Sequence, residues 1–387
     1  MTTQTQSPGA PPVRVGALFA LSGAASSYGI SAQKGAELAK EEINAAGGIL
    51  GRRVELIIED ERSPQEAVTT VRRLVAEEKV DFLLGIDSSA VAEAIVPILP
   101  EVQRVLMVTH AATVRIIGDL FNPYVFRCSL AGHQNARAGA LVAPIYYRRW
   151  ATIGPDYSFG HLSWQYFSQY LRAVRTDADI VPRGCFHPPG AKDLRPWIRE
   201  AIRAVPDAVW ISSWGGDLVH LIRQAKKLKL FDQCAVFMEL GGALEVLEAL
   251  GDEMPTGVWV GTRYWFLWSD NEPNRRFVEA FHQRYGHYPS YNAQNAYVGM
   301  RLLALAAERA GTLDTKAIIG ALEGIRWEAP MGSLYLRPED HQGIANAVWG
   351  QTRPSSDYPF HILDPMWVFE GARITPPPET QKKGENQ

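Results

Sequence analysis

The residues best suited to chemistry stand just past the C-terminal ends of apolar, strand-like runs. Tyr28 follows Val13–Leu21, with Ser22 and Ser26 in the same loop. Ser88 and Ser89 follow VDFLLGI (80–86), and THAAT, which holds Ala111 and Thr113, follows RVLMV. Tyr157 and Phe159 follow WATIGP, Trp214-Gly215-Gly216 follow DAVWISS, and Glu239 follows AVFM. A helix cap or core packing accounts for any one of these alone. It does not account for six strand exits together, because open α/β sheets bind ligands outside the carboxyl ends of their strands.

These residue types suit a particular ligand. Ser88 and Ser89 stand at a helix start, where free backbone N–H groups and the positive dipole end favour an anion such as a carboxylate. A buried Glu239 needs a cationic partner, since an unpaired buried carboxylate is costly. Tyr28, Tyr157, Phe159, Trp214 and Tyr264 offer aromatic walls for an apolar side chain or a ring. An α-amino acid with an apolar side chain meets all three demands.

Nothing catalytic accompanies these residues. There is no P-loop, no G-x-G-x-x-G after a strand, no H-E-x-x-H and no G-x-S-x-G. Histidines are scattered without ligand spacing, and His110, His161 and His220 read as satisfied structural side chains. Glu339-Asp340-His341 reads as a solvated turn. The chain is therefore read as a binder and not an enzyme, with no catalytic residue, metal or cofactor.

The elements that must position these residues alternate. The run Val13–Leu21 is a strand, and the loop after it leads into a helix with Ala36, Ala39 and Ile43 at helical spacing. Gly47-Gly48 stop that helix, and Val54, Leu56 and Ile58 alternate as a second strand. Such strand–helix–strand units build parallel sheets. Strands at 80–86 and 104–110 continue the series, with a helix through 90–102 and a crossing segment at 122–130. A second series has strands at 150–155, near Ile180, at 207–212 and at 235–239, with helices at 163–174, 193–204 and up to Lys229. GVWVGTRYW (257–265) then leads to a helical FVEAFHQRYG and a long helix over 292–310.

At 387 residues the chain exceeds one compact core, which points to two domains. The net charge of −3, with both signs interspersed, gives no indication of a nucleic-acid partner. No apolar run is long enough to span a bilayer. MTTQTQSPGAPP lacks the basic start and apolar core of a signal peptide, so the expected location is extracytoplasmic only if a signal lies outside this sequence. Cys128, Cys185 and Cys234 form no metal or disulfide pattern and read as small buried side chains.

LSGAASSYG, KGAELAKEEINAAGGILGRRVELIIED, GIDSSAVAEAIVP, THAAT and MELGGALEVLEALG together resemble the type I periplasmic binding proteins of the leucine/isoleucine/valine kind, over about Val13–Gln351. The resemblance implies two Rossmann-like lobes with parallel sheets, joined by a three-crossing hinge, and a ligand held in the cleft between them. It implies a substrate-binding subunit of an ABC importer whose closed form a permease recognises. It puts carboxylate binding on Ser89 beside Ser88, further contacts on Ala111 and Thr113, walls on Tyr157, Phe159 and Trp214, and ammonium binding on Glu239. Crossings are expected near 127–129, 261–263 and 338–342. Lobe I then covers 13–128 and 262–338, lobe II covers 129–261 and 339–372, and 1–12 and 375–387 are flexible tails. Relatives of this fold also bind aromatic carboxylates, amides or urea, and some are cytoplasmic amide sensors. The aromatic second half keeps those alternatives open.

Overall fold

The computed structural model describes residues 10–142 and 147–378. β1 (Val13–Phe19), β2 (Val54–Asp60), β3 (Phe82–Gly85), β4 (Leu106–Val108) and β5 (Val125–Arg127) form a parallel sheet in the order β2-β1-β3-β4-β5. β1 is apolar nearly throughout because both of its faces are covered. Val13, Val15, Ala17 and Phe19 face one core, and Leu18 faces a second core with Val71, Leu74 and Leu83. The helices Ser26–Ala45 and Tyr291–Ala310 pack together over the first of these faces. Gly35 permits this close approach, since a Cβ there would lie 1.9 Å from the carbonyl oxygen of Ala293.

After β5 the chain enters a second sheet of eight strands. β6 (Arg149–Pro155), β7 (Asp179–Ile180), β8 (Cys185–His187), β9 (Ala208–Ile211), β10 (Ala235–Met238) and β11 (Trp259–Thr262) come first. The chain then returns to the first half through the helices Glu272–Tyr285 and Tyr291–Ala310. A small antiparallel sheet follows, built from β12 (Arg326–Ala329), β13 (Gly332–Leu336) and β14 (Gly343–Ile344). It then crosses again. β15 (Ala347–Arg353) and β16 (Ile362–Phe369) add antiparallel beside β11, giving the order β16-β15-β11-β10-β9-β6-β7, with β8 on β6. The core of this half is aromatic: Phe167 stacks on Trp210 at 4.0 Å, and Trp210 on Trp349 at 5.5 Å.

Two of the crossings are tied to each other. Arg127 and Gln342 form a parallel bridge, and Arg127 Nε donates to Gln342 Oε1 at 2.7 Å. Gln342 Nε2 donates to the Ser129 carbonyl at 2.9 Å, so the two segments share one buried network.

The sequence reading left β8, the small sheet and the antiparallel pair β15–β16 unassigned, and read 122–130 as a pure crossing although it contains β5. Residues expected to begin the flexible tails are held where described. Arg52 donates to the carbonyls of Pro11 and Pro12, Gln134 donates to the Thr375 hydroxyl at 2.7 Å, and Arg337 to the Pro376 carbonyl at 2.8 Å. Residues 1–9 and 379–387 of those tails lie outside the described residues.

Candidate ligand-binding site

The strand exits of both sheets converge on one small cavity. It is lined by Asp87, Ser89, His110, Ala112, Tyr157, Phe159, Trp214, Leu240 and Arg263. Ile86 sets the first wall. Its φ of 69° is rare for a β-branched residue. Hydrogen bonds from its N–H to Leu18 and to its carbonyl from Ala111 hold it, each 2.9 Å long. The chain thereby turns sharply after β3 and delivers Asp87, Ser88 and Ser89 to the sheet edge.

Asp87 and His110 form a buried pair at this wall. The Asp87 carboxylate accepts from the Ala20 N–H at 2.7 Å and lies 3.3 Å from His110 Nδ1. The other ring nitrogen of His110 faces the Tyr291 hydroxyl at 2.9 Å. A neutral ring that donates from Nδ1 and accepts at Nε2 satisfies both partners. Burial pushes the imidazole pKa down, which favours that form. Behind Asp87, the buried Glu61 carboxylate accepts from the N–H groups of Asp87 and Ser88. Its pKa is raised well above the usual range by burial and by Asp87.

Arg263 is the cation of the site. It stands one residue beyond the end of β11 and is 1 % exposed. Its Nη1 donates to the His110 carbonyl, and the guanidinium lies 5.5 Å from the centre of the Tyr291 ring. Its Nε finds no partner, and among the described residues it forms no ion pair. A buried guanidinium without a carboxylate is costly, and an anionic ligand would repay that cost.

The second sheet supplies the aromatic wall. Tyr157 and Trp214 each stand at a helix N-cap position, and Trp214 Nε1 donates to the Tyr157 hydroxyl at 2.7 Å. The Trp214 ring lies 5.4 Å from His110 and 5.6 Å from Tyr28, so the two halves touch across the cavity. Gly216 packs beside Ala24, and Asn292 donates across the same divide to Glu245 at 2.9 Å.

Of the residues singled out from sequence, Ser89, Tyr157, Phe159 and Trp214 line this cavity. Tyr28 packs behind it on His110 and Tyr291, and Ser88 lines an adjoining outer cavity. The structure does not bring the others to the cavity wall. Ala111 presents its carbonyl to Arg127, and the neighbouring Ala112 lines the cavity instead. The Thr113 hydroxyl donates to Glu93 at 2.7 Å. Tyr264 points its hydroxyl to Asn274 at 2.7 Å. Glu239 lies fully buried and accepts from the Ser163 hydroxyl, which in turn accepts from Trp210 Nε1 at 2.8 Å. Burial pushes its pKa up to about 7 despite the Ser163 bond and the charge of Arg263. Asp87, His110, Leu240 and Arg263 escaped the sequence reading of the site, although Arg263 satisfies the same strand-exit rule.

A family model described as periplasmic binding protein matches residues 12–357. The chain belongs to the periplasmic binding protein family. Its similarity reaches a Leu/Ile/Val-binding protein homolog of Brucella melitensis, 24% identical over 94% of this chain and 90% of the relative. Among solved structures, an ABC transporter substrate-binding protein from Sphaerobacter thermophilus is 27% identical, with a TM-score of 0.81 over 92% of this chain and 98% of that one. A solute-binding protein of an ABC transporter from Rhodopseudomonas palustris HaA2, in complex with p-hydroxybenzoic acid, superposes with a TM-score of 0.83. It is 22% identical, over 93% of this chain and 98% of that one. This periplasmic binding protein thus has the type I fold inferred from its sequence, with two α/β sheets, three crossings and strand exits that meet at a cleft.

Proposed function

We propose that this protein is the extracytoplasmic substrate-binding subunit of an ABC importer, and that it captures a small carboxylate with an apolar or aromatic body. The observation that carries this reading is Arg263: a buried guanidinium without an acidic partner among the described residues, on a cavity wall facing Tyr157, Phe159 and Trp214. In this reading the ligand carboxylate lies between Arg263 and the Ser89 hydroxyl, and its body lies against Trp214 and Phe159. The lobes divide near 127–129, 261–263 and 338–342, and ligand binding favours the closed arrangement that a permease would recognise.

A second reading, an apolar α-amino acid, is favoured by Asp87, the one carboxylate on the cavity wall. There Asp87, and not Glu239, would face the ammonium group. The p-hydroxybenzoic acid bound by one structural neighbour and the amino acids named for the curated relative correspond to the two readings.

Thermal unfolding against benzoate, 4-hydroxybenzoate, leucine, phenylalanine and benzamide separates them. A ligand at about 100 times its Kd adds about 2.7 kcal/mol of stability, a rise of a few degrees for a chain of this size. The proposal predicts a rise with the aromatic acids and none with benzamide. A rise with leucine alone would support the amino-acid reading, and a rise with benzamide alone would remove Arg263 from the ligand.

A further inference from the structure

The cavity at Arg263 has a volume of about 10 Å³, the room of a single water. No ligand with a carboxylate and a body fits it without a rearrangement. The side chains that limit it on one side are Tyr157 and Trp214, and the same two line an outer cavity of about 300 Å³. The hydrogen bond between them makes a partition one side chain thick. Trp214 is half-buried, and the next two residues are Gly215, at a φ of 56°, and Gly216, so the local backbone can adjust.

The outer cavity has its own chemistry. Ala24, Ala25, Ala90, Pro155 and Pro189 give it an apolar wall. Three of its polar side chains already have partners in the protein. His187 Nε2 and the Ser213 hydroxyl are 3.0 Å apart, and the Asp217 carboxylate accepts from the Gly190 N–H at 2.9 Å. With Asp217 present and no cation among its lining residues, this space disfavours a second carboxylate.

We propose that the two cavities are halves of one ligand site. The substrate class is then a monocarboxylate with an elongated apolar body, longer than one aromatic ring. The carboxylate sits at Arg263 and Ser89, the body passes the displaced Tyr157–Trp214 partition, and the distal end lies against Ala90 and Pro155. This inference rests on the carboxylate reading above and adds the length and polarity of the rest of the ligand.

The test is calorimetric titration of the full chain with benzoate, phenylacetate, 3-phenylpropionate and 4-phenylbutyrate. The same series is repeated on Ala90→Phe, and on Ala24→Trp as a second variant at an exposed turn. In the wild type, affinity should rise by about tenfold or more from benzoate to 3-phenylpropionate, the scale of added methylenes entering an apolar pocket. Each variant should cut affinity for 3-phenylpropionate at least about tenfold more than for benzoate. Benzoate binding with flat or falling affinity along the series would overturn the elongated-ligand inference and leave the carboxylate reading standing. Equal losses for all four acids in both variants would also overturn it. A series in which no acid binds the wild type would overturn both.

Discussion

Arg263→Gln should separate ligand recognition from folding. The guanidinium is buried, donates to the His110 carbonyl, leaves Nε without a partner and has no ion pair among the described residues. Glutamine keeps an N–H donor within the same chain segment but removes the charge. A hydrogen bond to a charged group contributes about 1.5–3 kcal/mol, so carboxylate affinity should fall by roughly 10- to 150-fold. Because Arg263 is buried, salt should change the difference little. Removing an unpaired buried charge also relieves a desolvation cost, so the ligand-free variant should unfold no lower than the wild type. The assay is calorimetric titration at pH 7 with benzoate and benzamide, beside thermal unfolding without ligand. Wild type should prefer the acid, and the variant should lose that preference. Benzoate affinity within about twofold of wild type, in a folded variant, would refute the assignment of charge recognition to Arg263.

Three further outcomes follow from the geometry. The Glu239 pKa is raised from 4.5 to about 7 by burial, so the folded state holds its proton more tightly than the unfolded state. Its contribution is present below pH 4.5 and is lost as pH rises through 7, about 3 kcal/mol in all. Glu239→Gln should therefore flatten the decline in denaturant stability between pH 5 and 8, and an unchanged slope would contradict the burial account. Asn292→Ala removes a hydrogen bond between the halves worth about 1 kcal/mol, so ligand affinity should fall roughly fivefold, with a larger ligand-free radius of gyration by small-angle scattering. Gly216→Val puts a Cβ 2.8 Å from the Ala24 carbonyl, so it should weaken binding by about tenfold or more while the melting temperature stays within about two degrees.

The strand-exit rule found four wall residues because the end of a parallel strand fixes where the following loop emerges, whatever the long-range packing. Arg263 was missed for a local reason. GVWVGTRYW was given no strand end of its own and 261–263 was read only as a crossing, whereas β11 ends at Thr262 and makes Arg263 the first residue beyond the sheet. Tyr264, one residue further, lies on the other side and is satisfied by Asn274. Thr113 was misplaced because its partner, Glu93, comes from a helix twenty residues away, and no short-range pattern records that pairing. The antiparallel strands β15 and β16 were unreadable for a related reason: β15, on which β16 pairs, has its own partner β11 across a crossing and almost 90 residues upstream. The small size of the cavity depends on how the rings of Tyr157 and Trp214 meet, which residue types alone do not set.

The most direct test of the central claim is a crystal structure of the protein with 3-phenylpropionate bound. The account predicts the carboxylate within hydrogen-bonding distance of Arg263 and Ser89, the body past a displaced Trp214, and the ring against Ala90 and Pro155. A carboxylate bound away from Arg263, or a ligand confined to the outer cavity with Arg263 still unpaired, would contradict it.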